Sequence, residues 1–251
     1  MRIPIRHERP GRYIDVVSVG LTVVILAVLT RDLVLLLPNL DPTKIAVDYN
    51  LYVEATRRWL NGGGYYFPEQ LAGPYDVVPG VVLYPPVFAL VMLPFLVLPW
   101  WVYWALPIGA VIFAVNRHRP RPVVWPAIAL CLWFPNTIVI LVAGNPVMLM
   151  VGALALGTIW AWPSVFVLLK PTLGVFALFG IWRRSWWVAL GVLILVSVPF
   201  AATWLDYIAV VRNARQALGP LYNLGQVPTM LLPLLVWAGR RAEARSPVEV
   251  P

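Results

Sequence analysis

Long apolar runs, broken by short polar clusters, organise this chain. Residues 14–37, 81–98, 100–115, 123–142, 147–162, 163–182, 186–204 and 227–239 are each predominantly apolar. A helix needs about 20 residues to cross the hydrocarbon core of a bilayer. Lipid offers no partner to backbone N–H and C=O groups, so runs of this kind must satisfy them internally as helices. The pattern predicts an all-α polytopic bundle of about eight transmembrane spans, roughly seven to nine because several runs are short. Pro94, Pro107 and Pro171 fall inside the runs, which predicts kinks or re-entrant turns held against neighbouring helices.

One long polar stretch, residues 38–80, carries Asp41, Lys44, Asp48, Glu54, Arg57, Arg58, Glu69 and Asp76. Asp41 before Pro42 reads as a helix start, an N-cap side chain followed by a proline at the first helical position. Gly62-Gly63-Gly64 reads as its stop. The expected helix has about five turns and sets Asp48, Tyr52, Ala55 and Trp59 on one face. A carboxylate is thereby aligned with two aromatics on a helix expected to lie along the membrane surface.

Composition agrees with lipid as the solvent: 61% of the 251 residues are hydrophobic and 12% charged, against roughly 25% charged in soluble domains. The formal net charge of +8 does not form a basic face with interleaved stacking residues, so nucleic acid is excluded as a partner. Arginines cluster at 2–12, 117–121, 183–184 and 240–245, between apolar runs, as the positive-inside bias requires, and membrane lipids are the expected partners. The first run is too long for a signal peptide's apolar region and lacks a small-x-small cleavage site, so it is expected to stay as an anchor. Arg31 and Asp32 at its end are expected to snorkel or to pair with each other.

The resulting layout is a single transmembrane domain, residues 1–251. Residues 1–13 and 240–251 are cytoplasmic, and 38–80 and 205–226 form external loops. One loop disagrees, because eight crossings place Arg117, His118, Arg119 and Arg121 outside. The alternative is that 81–115 crosses only once, with a bent or re-entrant first part. Cys131 stands alone in an apolar run and can form no internal disulfide. No histidine and carboxylate spacing suggests a metal, and no cofactor is expected.

Four segments resemble glycosyltransferase family 87, the polyprenol-phosphate-mannose-dependent transferases of the GT-C superfamily. Asp48 to Ala55 reads D-Y-N-L-Y-V-E-A, similar to the family's D-x-x-x-Y-x-x-A, and Gly62 to Gly64 with Tyr65-Tyr66 follows. Tyr84-Pro85-Pro86 opens a segment that closes at Leu98-Pro99. Ala143-Gly144-Asn145-Pro146 resembles the family's turn, with Asn145 where glutamine is usual and Pro146 as a departure. Leu168 to Thr172, L-L-K-P-T, followed by Arg183-Arg184, resembles the lysine-bearing span and its basic exit. The chain looks like a short form of this family, which implies a second membrane subunit as a partner.

The resemblance implies an inverting transfer of a sugar, mannose in the family, from a polyprenyl-phosphate donor to a lipid or glycan acceptor outside the cytoplasmic membrane. Asp48 would be the catalytic base. Tyr52, Tyr84 and Asn145 would help bind substrate, and Arg57, Arg58, Lys170, Arg212 and Arg215 are the cations available to the departing phosphate. Such chemistry needs a base within hydrogen-bond reach and a positive environment for the leaving group. Taken alone, Asp48 also reads as a surface carboxylate paired to a cation, Lys170 as a snorkelling lysine, and the tyrosines as interfacial anchors. Two other function classes stay open on these residues: a noncatalytic lipid-binding relative, and a transporter or flippase, which would more often show broken helices in two matching halves.

Overall fold

The computed structural model describes residues 10–77, 80–215 and 224–241. The protein is all-α. Helices α1 (Pro10–Leu36), α2 (Val47–Leu60), α3 (Pro68–Ala72), α4 (Phe88–Met92), α5 (Trp101–His118), α6 (Trp125–Trp133), α7 (Pro135–Ala143) and α8 (Val147–Trp160) follow one another. Two 3-10 helices come next, Trp162–Leu169 and Pro171–Gly180, then α9 (Arg184–Ser197), α10 (Ala201–Asn213) and α11 (Val227–Ala238). The described strands are two-residue pieces, β1 (Tyr75–Asp76) and β2 (Ala214–Arg215), paired in parallel.

Two helical stretches are long and apolar enough to cross a membrane, Arg12–Asn39 and Arg184–Asn213, or up to four if each of two bent pairs is one span. That is fewer than the eight expected, because two pairs are bent at prolines and Val147–Trp160, Pro171–Gly180 and Leu224–Ala238 are apolar helices of only 10–17 residues. Phe88–Leu96 meets Trp101–His118 at 119° and Pro122–Trp133 meets Pro135–Ala143 at 60°. The breaks fall at Leu98-Pro99 and Phe134-Pro135, where the ring of the second residue disfavours helix at the first; Phe134 is accordingly extended, with ψ 126°. The run at 81–98 is therefore not a straight span, and the stretch 162–180 is two 3-10 helices rather than one α-helix.

Many apolar side chains face outward, among them Val23 at 60% exposure and Leu195 at 70%, the distribution expected of surfaces that meet lipid rather than water. On α1 the buried positions are Ser18, Thr22 and Ile25, one helical stripe on the helix that packs against α6. Small residues let the inner helices approach closely, as packing in lipid favours. A Cβ at Gly152 of α8 would come within 2.8 Å of the Pro107 Cα in α5, and one at Gly157 within 2.8 Å of Ser164.

These contacts give the molecule two ends. At one, the Arg121 N–H donates to Gly239 O, His118 bonds Thr158 at 2.8 Å, and Ser185 reaches Trp160 O. Arginines 117–121, 183–184 and 240–241 are thus gathered together. At the other end lie α2, the Tyr84 segment, the α7–α8 turn and α10. The 162–180 stretch is a hairpin whose legs are joined by Ser164 Oγ donating to Ala177 O at 3.2 Å, with Lys170 at its tip.

Three expectations are corrected in the polar stretch and its neighbours. Asp41 caps only the 3-10 turn Pro42–Lys44, its carboxylate accepting from the Thr43 N–H at 2.9 Å; the longer helix begins at Val47, after Ala46 in a left-handed conformation. Residues 205–213 belong to α10 rather than to a loop, while 216–223 of the expected second external loop lie outside the described residues. Asp32 pairs not with Arg31 but with the Trp133 indole N–H, at 2.9 Å. The expected tails 1–9 and 242–251 are also outside the described residues.

Candidate functional site

The turn between α7 and α8 builds the site. Gly144 closes α7 in the left-handed conformation, φ 65°, with its N–H on Leu141 O and the Asn145 N–H on Ile140 O, the paired bonds of a Schellman ending. Glycine is required there for a second reason, because a Cβ would lie 2.7 Å from the Trp104 ring and 2.9 Å from Tyr49 Cβ. Two of the last α7 carbonyls are taken by other elements: Leu141 O by the Trp104 indole N–H and Val142 O by the Ala46 N–H. The second bond docks the start of α2 onto this turn and brings Asp48, in the first turn of α2, beside Asn145.

Asn145 is oriented by backbone. Its Oδ1 accepts from the Val147 N–H at 3.1 Å, which leaves Nδ2 to donate to Asp48 Oδ2 at 2.6 Å. Across the site Lys170 stands between its two 3-10 helices, φ −124° and ψ 88°, extended because Pro171 follows. Its Nζ lies 4.9 Å from the centre of the Tyr84 ring, and its charge acts on Asp48. Among the described residues the ion pair within 4 Å is Arg57–Glu54, so Lys170 faces Asp48 across a gap rather than in contact.

Aromatic rings wall the site. Tyr52 meets Tyr84 edge-on at 5.1 Å, and its hydroxyl accepts from the Leu83 N–H at 3.3 Å. Tyr66 donates to Tyr84 O at 2.9 Å. Tyr103, fully buried, packs on Tyr49 at 4.9 Å, within electrostatic reach of Asp48. The hydroxyls of Tyr103 and Tyr65 are buried without a hydrogen-bond partner among the described residues. Such groups are rare in folded interiors, and a polar ligand can satisfy them.

Burial pushes the Asp48 carboxyl above the usual carboxylate range, against the opposing pull of the Asn145 amide and then of the Lys170 charge. Burial likewise lifts the Tyr52 hydroxyl well above the ordinary phenol value, so at neutral pH Tyr52 can only donate or accept as a neutral group. A raised carboxylate has more proton affinity than a solvated one, which suits a general base.

Of the residues singled out from the sequence, Asp48, Tyr52, Tyr84, Asn145 and Lys170 come together. Arg57 is exposed and pairs with Glu54 at 2.9 Å. Arg58 closes the glycine loop, donating to Gly64 O at 2.6 Å and Tyr65 O at 2.7 Å while lying over the Phe67 ring. Arg212 and Arg215 are exposed at the end of α10 and in β2. These four arginines are not part of the cluster. Tyr103 and Tyr65 are site residues that sequence reasoning missed. The signal available for Tyr103 was a phenol inside the apolar W-W-V-Y-W run, where its hydroxyl needs a reason to be buried. Among the described residues no group of three or more His, Cys, Asp or Glu side chains is placed to hold a metal ion.

Beside the hairpin tip runs an apolar groove of about 810 Å³ between α4, the 162–169 leg and α9. Val87, just past the Tyr84-Pro85-Pro86 segment, and Leu169, next to Lys170, line it, and Arg184 and Ser185 border it where α9 begins. Compared with known proteins, the chain matches no family model, no curated protein and no solved structure.

Proposed function

We propose that this protein is a membrane-embedded inverting glycosyltransferase that moves a sugar from a polyprenyl-phosphate donor to an extracytoplasmic lipid or glycan acceptor, with Asp48 as general base. The observation that carries the reading is the assembly of Asp48, Asn145 and Lys170, 97 residues apart for the hydrogen-bonded pair, in one aromatic-walled site. Asp48 takes the proton from the acceptor hydroxyl as its oxygen attacks the anomeric carbon. The bond from that carbon to the phosphate oxygen breaks, and Lys170 meets the negative charge that develops on the departing phosphate. Asn145 holds the carboxylate in place through the transfer. The apolar groove adjoining Lys170 suits a substrate with a long hydrocarbon tail. Mannose as the sugar rests on the family resemblance.

The arrangement of ends supports a sidedness for this reading. We place the arginine end in the cytoplasm, by the positive-inside bias, and the Asp48 end outside, in the cell membrane. The crossing elements are then α1, α5, α6 with α7, α8, α9 with α10, and α11. The 162–180 hairpin, with 3-10 legs of 8 and 10 residues, enters from the arginine end and returns to it, and α4 with its 3-10 extension is a second re-entrant piece. Arg117 to Arg121 fall on the cytoplasmic side with the other arginine clusters.

The test is transfer by purified protein in lipid vesicles with a panel of polyprenyl-phosphate sugars, wild type against Asp48→Asn. Asparagine keeps the size and the bond to Asn145's neighbourhood but cannot take a proton, so turnover should fall about 10²- to 10⁴-fold while donor binding persists. Turnover within about threefold of wild type, far short of the loss for a missing base, would remove Asp48 from catalysis. A second reading, transport of a lipid-linked substrate, draws on the break at Lys170, since broken helices carrying a charge at mid-membrane depth also build transporter sites. Movement of donor across the bilayer without any sugar product would favour it.

A further inference from the structure

The arginine end holds a cleft of about 400 Å³ lined by Val115, Asn116, Arg119, Pro120, Trp125 and Arg241. Nothing in the proposed transfer uses it. Two arginines and one asparagine are among the residues that line it, and no carboxylate lines it among the described residues. Neither Arg119 nor Arg241 forms an ion pair among the described residues. The cleft is built by long-range contacts rather than by one mobile loop: the Arg121 N–H on Gly239 O at 2.8 Å joins the segment after α5 to the end of α11. Arg240 next to Arg241 is pinned over the Trp237 ring at 4.1 Å.

A second feature is backbone strain. Arg119 caps α5 with φ 46° and ψ 62°, the left-handed region, which is unfavourable for a residue with a Cβ. Glycine or asparagine would relieve it. The left-handed turn redirects the chain after α5, so that Arg119 and Pro120 both line the cleft. Trp125 gives the cleft an amphipathic wall of the kind found at headgroup depth.

We infer that this cleft binds the phosphate of an anionic membrane lipid, with Arg119 and Arg241 as its cationic ligands, Asn116 donating, and Trp125 against the glycerol region. Basic pockets between helices at a membrane face hold lipid headgroups in this way. The lipid would tie α5 to the end of α11, the two elements that supply the arginines.

The experiment uses the full chain in nanodiscs of neutral phosphatidylcholine, titrated with phosphatidylglycerol, with bound lipid counted by native mass spectrometry. Wild type should retain one phosphatidylglycerol in preference to phosphatidylcholine. Arg119→Asn, which suits the left-handed backbone, and Arg241→Gln should each weaken retention about fivefold, the effect of one arginine at a lipid surface. Arg119→Lys should largely restore it, and Arg12→Gln, another basic position outside the cleft, should leave it unchanged. Equal weakening by Arg12→Gln would mean diffuse attraction and overturn the site, as would unchanged retention in both cleft variants. Displacement of the lipid by an equal concentration of inorganic phosphate would also overturn it, making the cleft a free-anion site.

Discussion

Asp48 and Asn145 hold each other through a bond whose direction the backbone fixes: the Val147 N–H occupies the amide oxygen, and the amide nitrogen is left for the carboxylate. A base must be deprotonated to act, and burial raises the Asp48 carboxyl. Activity should therefore rise with pH through a limb above the usual value of about 4 for aspartate. Removing the amide in Asn145→Leu takes away the largest influence that lowers this carboxyl, so the acid limb of kcat/KM should move to higher pH. A limb that stays put in that variant would show that another group sets it. Stability depends on pH with the opposite sign. The folded state binds this proton more tightly than the unfolded chain, so Asp48 favours folding most at acid pH, and that contribution is lost as pH rises through the raised value.

At the scale of elements, the turn at Gly144 and the break at Lys170 are the two devices that make the site. Gly144→Ala must adopt an unfavourable left-handed backbone and push against Trp104 and Tyr49. We expect a loss of at least about 1–2 kcal/mol, read as a lower unfolding temperature in detergent, together with loss of activity as Asn145 shifts. An alanine variant as stable and active as wild type would show that the turn is not rigid. The break at Lys170 is framed by 3-10 helices of 8 and 10 residues, whereas runs beyond three or four residues are uncommon. Pro163 and Pro171 each start one of these legs, and the Trp186 indole N–H bonding Ala177 O at 2.7 Å helps hold them. Lys170→Met should keep the amount of folded protein in membranes and raise the KM for donor, because it removes the cation but little volume. Unaltered kinetics would assign the lysine to a lipid-facing role.

For the whole molecule, the contacts separate an arginine end from the Asp48 end, and this arrangement has a direct experimental consequence. With Cys131 replaced by serine, a cysteine at Asn61 should react with an impermeant thiol reagent added outside intact cells. A cysteine at Asn116, one residue before the arginine run, should react only after the membrane is opened. Labelling of both from the same side would contradict the two-ended arrangement in the membrane. The proposed re-entrant hairpin also depends on it, since both of its legs must enter and leave from the arginine end.

The apolar period of the chain, read alone, determined the solvent and the helical class, because runs of this length have no other stable state in lipid. It also placed Asp48 and Tyr52 on one helical face, a consequence of helical geometry that needs no partner, and Tyr52 and Ala55 are indeed buried. The number and shape of the spans were not legible. A proline inside an apolar run can kink a helix, reverse it or end it, and which occurs depends on what packs against the freed carbonyls. The same holds for the cations. Spacing left five of them available to a phosphate, and only tertiary packing separated Lys170, carried to the site at a hairpin tip, from Arg58, whose guanidinium is taken by the carbonyls of Gly64 and Tyr65. Local sequence determines which side chains share an element; which elements meet is decided by contacts between residues far apart in the chain, such as Asp48 with Asn145.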